Sequence, residues 1–135
     1  MKGILFLCLA NSARSQMAEG IARSLVPPEI KVWSAGSRPT RVRPEAITVL
    51  GEIGIDISGQ SSKPVSAIPA GEVDTVITLC SEEECPLFLG QARRLDWSLP
   101  DPAAVQGSDE ERLAAFRRTR DKLRRRIAAF LAGIN

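Results

Sequence analysis

Cys8 and Arg14 stand six residues apart in the stretch CLANSARS, and their spacing is the most specific chemical signal in the chain. A cysteine thiolate is a nucleophile. A guanidinium six positions on can lay its planar fork over a small anion and bind two of its oxygens together. Between and beside them, Leu9, Ala10, Asn11, Ser12, Ala13 and Ser15 offer backbone N–H groups, and Ser12 and Ser15 add hydroxyls. Asn11 tolerates the left-handed backbone that a loop curled around an anion requires. The stretch therefore predicts a cradle for a tetrahedral oxyanion, with Cys8 at its floor as a thiolate stabilised by the amides, the helix dipole and Arg14.

Cys80 and Cys85 form a second constellation, with four residues between the sulfurs. That spacing permits a disulfide if the loop moves. If Cys8, Cys80 and Cys85 meet in turn, the chain holds a nucleophile, a thiol to attack it and a third to resolve the pair. Glu82 to Glu84 oppose thiolate formation nearby and are expected to face water. Histidine is absent, so a proton donor for a leaving oxygen must come from elsewhere, and Asp101 is the best-placed carboxylate. The plain alternatives are a buried Cys80, an incidental Cys85 and an Asp101 that only starts a turn.

Histidine and tyrosine are both missing. No Cys-His or Ser-His pair can exist, and a zinc site using histidine is excluded. The three cysteines include no CxxC pair to support an all-cysteine site. Their odd number and spacing do not resemble a secreted disulfide framework, so they are expected to be mostly reduced.

Periodicity supplies the elements that position these residues. Ile4 to Leu7 is a continuous apolar run, as in a strand covered on both faces, and it delivers Cys8 to the strand end. Met17, Ala18, Ile21, Ala22 and Leu25 recur at helical steps. Pro27-Pro28 ends that helix, and Ile30 to Ala35 reads as a second strand. Pro44 fits the first turn of a helix that continues to Ile53 and stops at Gly54. One or two turns are expected from Val65 to Ile68. Val73 to Leu79 reads as a strand delivering Cys80, and Ala92 to Leu95 as a short fourth strand. A closing helix runs from about Ser108 to Gly133, with Ser108 and Glu111 as a capping box.

Alternating strands and helices predict an α/β fold: a single domain over residues 1–135, with a doubly wound four-stranded parallel sheet and helices on both faces. In such sheets ligands bind outside the carboxyl ends of the strands, so Cys8 and Cys80 should share one crevice. With 135 residues and a net charge of +2, the chain gives no argument for nucleic acid. No apolar run reaches membrane length, and Met1-Lys2 leads straight into a strand, so a cytoplasmic location is expected. The basic residues of the last helix (Arg112, Arg117, Arg118, Arg120, Lys122, Arg124, Arg125 and Arg126) read as a solvated face.

The segments CLANSARSQMAEG, VWSAGS, GIDISGQSSKPV, TVITLCSEEECP and DWSLPDPA together resemble the thioredoxin-coupled arsenate reductases, which share the low-molecular-weight tyrosine phosphatase fold. The resemblance covers almost the whole chain. Its most specific pieces are the loop from Cys8 to Gln16 and the Cys80/Cys85 pair, which ordinary phosphatases of this fold lack. It implies a relay. Cys8 attacks arsenate held by the loop and Arg14, while Asp101 protonates the departing oxygen. Cys80 attacks the Cys8 sulfur as arsenite leaves, and Cys85 then displaces Cys8. Thioredoxin reduces the resulting Cys80–Cys85 disulfide, and no cofactor is bound.

The same resemblance implies a monomer whose loop also accepts phosphate or sulfate. Ala103 stands where phosphatases place an aromatic wall for phosphotyrosine, and Gln16 replaces their usual proline. Lys63 stands where some reductases carry an acidic potassium ligand near Asn11, Glu19 and Ser34, and its ammonium can take the place of the ion. The competing readings are a phosphatase using Cys8, Arg14 and Asp101, and a non-catalytic sensor that binds oxyanion or arsenite. The electron donor could also be a glutaredoxin or a small thiol.

Overall fold

The chain is described by a computed structural model covering residues 1–80 and 91–133. Cys85 and Glu82 to Glu84 lie outside the described residues. Four parallel strands, β1 (Gly3–Cys8), β2 (Lys31–Gly36), β3 (Thr75–Thr78) and β4 (Arg93–Asp96), are ordered β2-β1-β3-β4. The helices α1 (Arg14–Leu25) and α2 (Pro44–Gly51) follow β1 and β2 as the sequence pattern predicts, and α3 (Asp109–Ala132) follows β4.

Residues on β1 alternate between two cores. Ile4 and Phe6 point to one side and pack with Met17 and Ile21 of α1, Leu50 of α2, and Phe116 and Leu123 of α3. Leu5 and Leu7 point to the other, where they meet Val76 and the residues Ile68 and Val73 beside two single 3-10 turns, Val65–Ala67 and Ala70–Glu72. Both faces of the central strand are dry, which explains its unbroken apolar run. Each fully buried large side chain such as Phe6 or Phe116 contributes roughly 2–3 kcal/mol.

The helix punctuation follows the sequence signals. Pro44 occupies the first turn of α2, Gly54 turns with φ +80°, and Ser108 and Glu111 close a capping box at α3. Glu52, just past α2, ties that helix to α3. It accepts from Arg117 Nε at 2.9 Å and Nη2 at 2.7 Å, and from Arg120 Nη1 at 2.8 Å. The Arg117 hydrogen bonds, assisted by Arg120, hold the Glu52 carboxyl down at about 2 against an ordinary 4.5. A depressed carboxylate stabilises the fold above its unfolded value and loses that contribution as pH falls through its folded one. The difference in melting temperature between parent and Glu52→Gln is therefore expected to be constant above pH 4.5 and to shrink towards pH 2. A difference independent of pH would show that the pair does not link the helices through charge.

The parallel order places the ends of β1, β3 and β4 on one edge. Backbone bonds extend the sheet there: Leu79 donates to the Leu7 carbonyl at 2.9 Å, and Leu99 to the Leu79 carbonyl at 3.1 Å. Cys8, Cys80 and the turn carrying Asp101 all leave from this edge.

Candidate active site

The loop from Cys8 to Ser15 connects β1 to α1 and is curled as expected. Asn11 adopts φ +48°, the left-handed conformation. Its side chain locks the turn: Nδ2 donates to Ser15 Oγ at 2.8 Å, while Oδ1 accepts from Gln16 Nε2 at 3.0 Å and from the Lys63 N–H at 2.9 Å. The loop's carbonyls face outward. Those of Leu9, Ala10 and Ser12 accept from the N–H groups of Arg38, Thr40 and Arg43 at 2.9, 3.1 and 2.9 Å.

Two of the loop's amides turn to the cysteine. Those of Leu9 and Ser15 bond towards the Cys8 sulfur. Ala13, at the N-cap of α1, provides no side-chain cap. The first helical N–H groups therefore have no partner from their own cap, which suits an anion.

Arg14 is buried. Its Nη1 donates to the carbonyls of Leu79 at 3.2 Å and Leu99 at 2.9 Å, and its Nη2 lies 3.9 Å from Asp101 Oδ2. Its Nε is a buried donor with no acceptor. A buried unpaired N–H is costly, and an anion in the loop would satisfy it. Asp101 starts a 3-10 turn, Pro102–Ala104, by accepting the Ala103 N–H at 2.9 Å, so its turn role and its proximity to Arg14 coexist.

One expectation is corrected here. Burial pushes the Cys8 thiol above its ordinary 9.0, and the Asp101 charge adds to that. Arg14 and the Leu9 and Ser15 amides pull downward as expected but do not offset the loss of water. Burial therefore favours the Cys8 thiol over the thiolate. The cysteines are not mostly reduced as expected: Cys80, buried just past the end of β3, is disulfide-bonded, whereas Cys8 is free. Cys85 lies outside the described residues.

Two supports were not read from the sequence. Gln16 Nε2 donates to the carbonyls of Asn11 and Ser61, each at 3.0 Å, and Gln60 Nε2 donates to Gln16 Oε1 at 2.8 Å. Ser62 Oγ donates to the Ala10 carbonyl at 3.0 Å. Together these strap the connector after α2 beneath the loop. The local signal was Gln16 itself, an amide inside the apolar pattern of α1. The second support is Gly36, at which a Cβ would stand 2.5 Å from the Leu9 carbonyl oxygen and 2.9 Å from Asn11 N. Gly36→Ala is expected to lower stability by about 2 kcal/mol and phosphate affinity at least ~10-fold, because only backbone is available to yield. Unchanged phosphate affinity by calorimetry would show that the loop accommodates the methyl.

Glu19 is buried behind the loop with its charge already balanced. Arg23 Nη2 lies 2.8 Å from Oε2 and Lys63 Nζ 3.6 Å from Oε1, and Ser34 Oγ donates to Oε1 at 2.5 Å. The Lys63 ammonium also donates to the Ser61 carbonyl at 2.9 Å. This set, with two cations on one carboxylate, does not fit an added potassium ion.

A parallel α/β sheet whose first strand ends in a cysteine, followed by a curled loop and a buried arginine with an unpaired Nε, is suited to holding an oxyanion beside a thiol. Residues 3–135 match the family described as low molecular weight phosphotyrosine protein phosphatase, and the chain belongs to that family. Within it, the chain is 41% identical over 131 residues to an arsenate reductase of Bacillus subtilis, covering 96% of this chain and 94% of that protein. It is 40% identical to a protein of Synechocystis named glutaredoxin arsenate reductase, over the full length of both. A solved arsenate reductase in the phosphate binding state superposes with a TM-score of 0.81 at 39% identity, covering all of both chains. A thioredoxin-dependent arsenate reductase of Corynebacterium glutamicum superposes with a TM-score of 0.65 at 26% identity, over 96% of this chain and 63% of that one.

Proposed function

We propose that the chain reduces arsenate to arsenite by passing two electrons through Cys8, Cys80 and Cys85, and that thioredoxin restores the thiols. Cys8 attacks arsenic held by the amides of residues 9–15 and by Arg14, forming a sulfur–arsenic bond as an oxygen departs as water. Asp101, the carboxylate beside Arg14, supplies a proton to that oxygen. The Cys8 thiol, held protonated by burial, supplies the other proton as it attacks. Cys80 then forms a bond to the Cys8 sulfur, the sulfur–arsenic pair stays on arsenic, and arsenite leaves. Cys85 displaces Cys8, and thioredoxin exchanges its dithiol for the remaining disulfide.

The observation that carries this reading is the pairing of a free Cys8 with a disulfide-bonded Cys80, the distribution of thiols that the relay leaves before reductant arrives. Ala103, two residues after Asp101, provides no aromatic wall, which disfavours phosphotyrosine as the substrate. The catalytic unit is the single domain of residues 1–135, acting as a monomer in the cytoplasm.

The deciding experiment feeds arsenate to the protein with NADPH, thioredoxin and thioredoxin reductase, and separately with glutathione and glutaredoxin. NADPH consumption with stoichiometric arsenite in the thioredoxin arm supports the reading. Turnover in the glutaredoxin arm alone transfers the donor role, and turnover in neither sinks it.

A further inference from the structure

Beside the 99–105 turn lies a groove of about 290 Å³ between that turn and α3. Its walls are mostly apolar, from Leu99, Pro100, Pro102, Val105 and Ala115; Asp101, whose carboxylate lies 3.9 Å from Arg14, lines the turn side, and Thr119, Arg118 and Lys122 line the α3 side. Both cations are exposed, and among the described residues neither has a carboxylate within ion-pair distance. The other basic residues near the middle of the helix are occupied: Arg117 and Arg120 bind Glu52, and Arg120 also binds Asp121. Arg126 continues the row of Arg118 and Lys122 at the same four-residue step and lies 5.2 Å over the Trp97 ring, just past β4. A row of three cations thus runs beside the 97–105 segment.

The position of this groove gives it meaning. Leu99, in its wall, is hydrogen-bonded to the carbonyl of Leu79, and the next residue is the disulfide-bonded Cys80. A largely apolar groove whose Asp101 carboxylate is turned to Arg14 and whose α3 rim carries two cations without an ion-pair partner among the described residues, one backbone layer from a disulfide, matches a protein that brings a dithiol flanked by acidic side chains. An inorganic anion would leave the apolar walls wet.

We propose that this groove is the docking surface for the protein that reduces the Cys80 disulfide, with Arg118, Lys122 and Arg126 meeting carboxylates on the partner. The inference rests on the reading of Cys80 as redox-active. The chemistry is thiol–disulfide exchange: a partner thiolate attacks the disulfide, and its second thiol releases it. Two electrons and two protons pass to this chain while the partner becomes the disulfide. Opposite charges across such a surface act mainly on the rate of encounter.

The test needs no arsenate. Oxidised protein is mixed with thioredoxin held reduced by NADPH and its reductase, and the rate of disulfide reduction is followed at low salt. R118E/K122E is expected to slow that rate at least ~10-fold, and R124E/R125E, the same charge change next to Asp121 and Leu25, by less than about twofold. The difference should narrow at about 0.5 M salt, and reduction by dithiothreitol should be unchanged in both variants. Equal slowing in the two pairs, no slowing, slowing with dithiothreitol as well, or failure of both thioredoxin and glutaredoxin to reduce the parent would overturn the docking surface. If the charge dependence holds but dithiothreitol-reduced protein makes no arsenite, the arsenate reading fails while the surface stands.

Discussion

Cys8→Ser is expected to lower arsenate reduction by ~10⁴-fold or more while leaving phosphate affinity within about threefold. The hydroxyl replaces the sulfur at a buried position without changing the Asn11 lock or the Arg14 contacts. What is lost is the atom that bonds to arsenic. Arsenite formation and phosphate calorimetry on the same preparation separate the two effects. A thiol raised by burial also predicts that alkylation of Cys8 by iodoacetamide keeps accelerating as pH passes 9.0, with no plateau near neutrality. Residual turnover above about 1% of the parent would place the nucleophile elsewhere.

The elements that bring Cys8 to the loop were legible because two periods meet at that point. Ile4 to Leu7 and the three- and four-residue steps from Met17 to Leu25 fix β1 and α1, and a strand-to-helix turn between them has few shapes. The match between residues 3–135 and the phosphatase family accords with the sheet expected from that alternation. Strand ends were less legible. Val73 reads as strand by composition, but its N–H closes a 3-10 turn on the Ala70 carbonyl, so β3 begins at Thr75. The fourth strand, expected over Ala92 to Leu95, forms at Arg93–Asp96: as an edge strand it takes its place from pairing with Thr75–Thr78 and keeps the charges of Arg93 and Arg94 facing water.

The supports of the site were illegible for a different reason. The bonds of Gln16 to Ser61 and Gln60, and of Arg14 to Leu79 and Leu99, join residues 44 to 85 positions apart. Their meeting is a product of the sheet order, which no local spacing encodes. Gly36 likewise gains its importance from the backbone of Leu9 lying across it. The protonation of Cys8 also depends on the assembled fold: the charges that favour a thiolate are visible in the sequence, but the depth of burial that outweighs them is not.

Cys80→Ser separates the reductase from a phosphatase built on the same loop. Cys80 lies at the end of β3, next to Leu79, whose carbonyl receives Arg14, so the position is adjacent to the loop without supplying any of its anion donors. A hydroxyl there cannot accept the second bond of the relay. Continuous arsenite production with thioredoxin is therefore expected to fall ~10³-fold or more, with phosphate affinity unchanged. Hydrolysis of an aryl phosphate needs only Cys8, Arg14 and Asp101, so whatever rate the parent shows should persist within about threefold. If the variant still makes arsenite continuously with thioredoxin, electrons reach arsenic without Cys80. If arsenite stops but a small external thiol restores it at Cys8, the nucleophilic step is intact and Cys80 acts in the step after it.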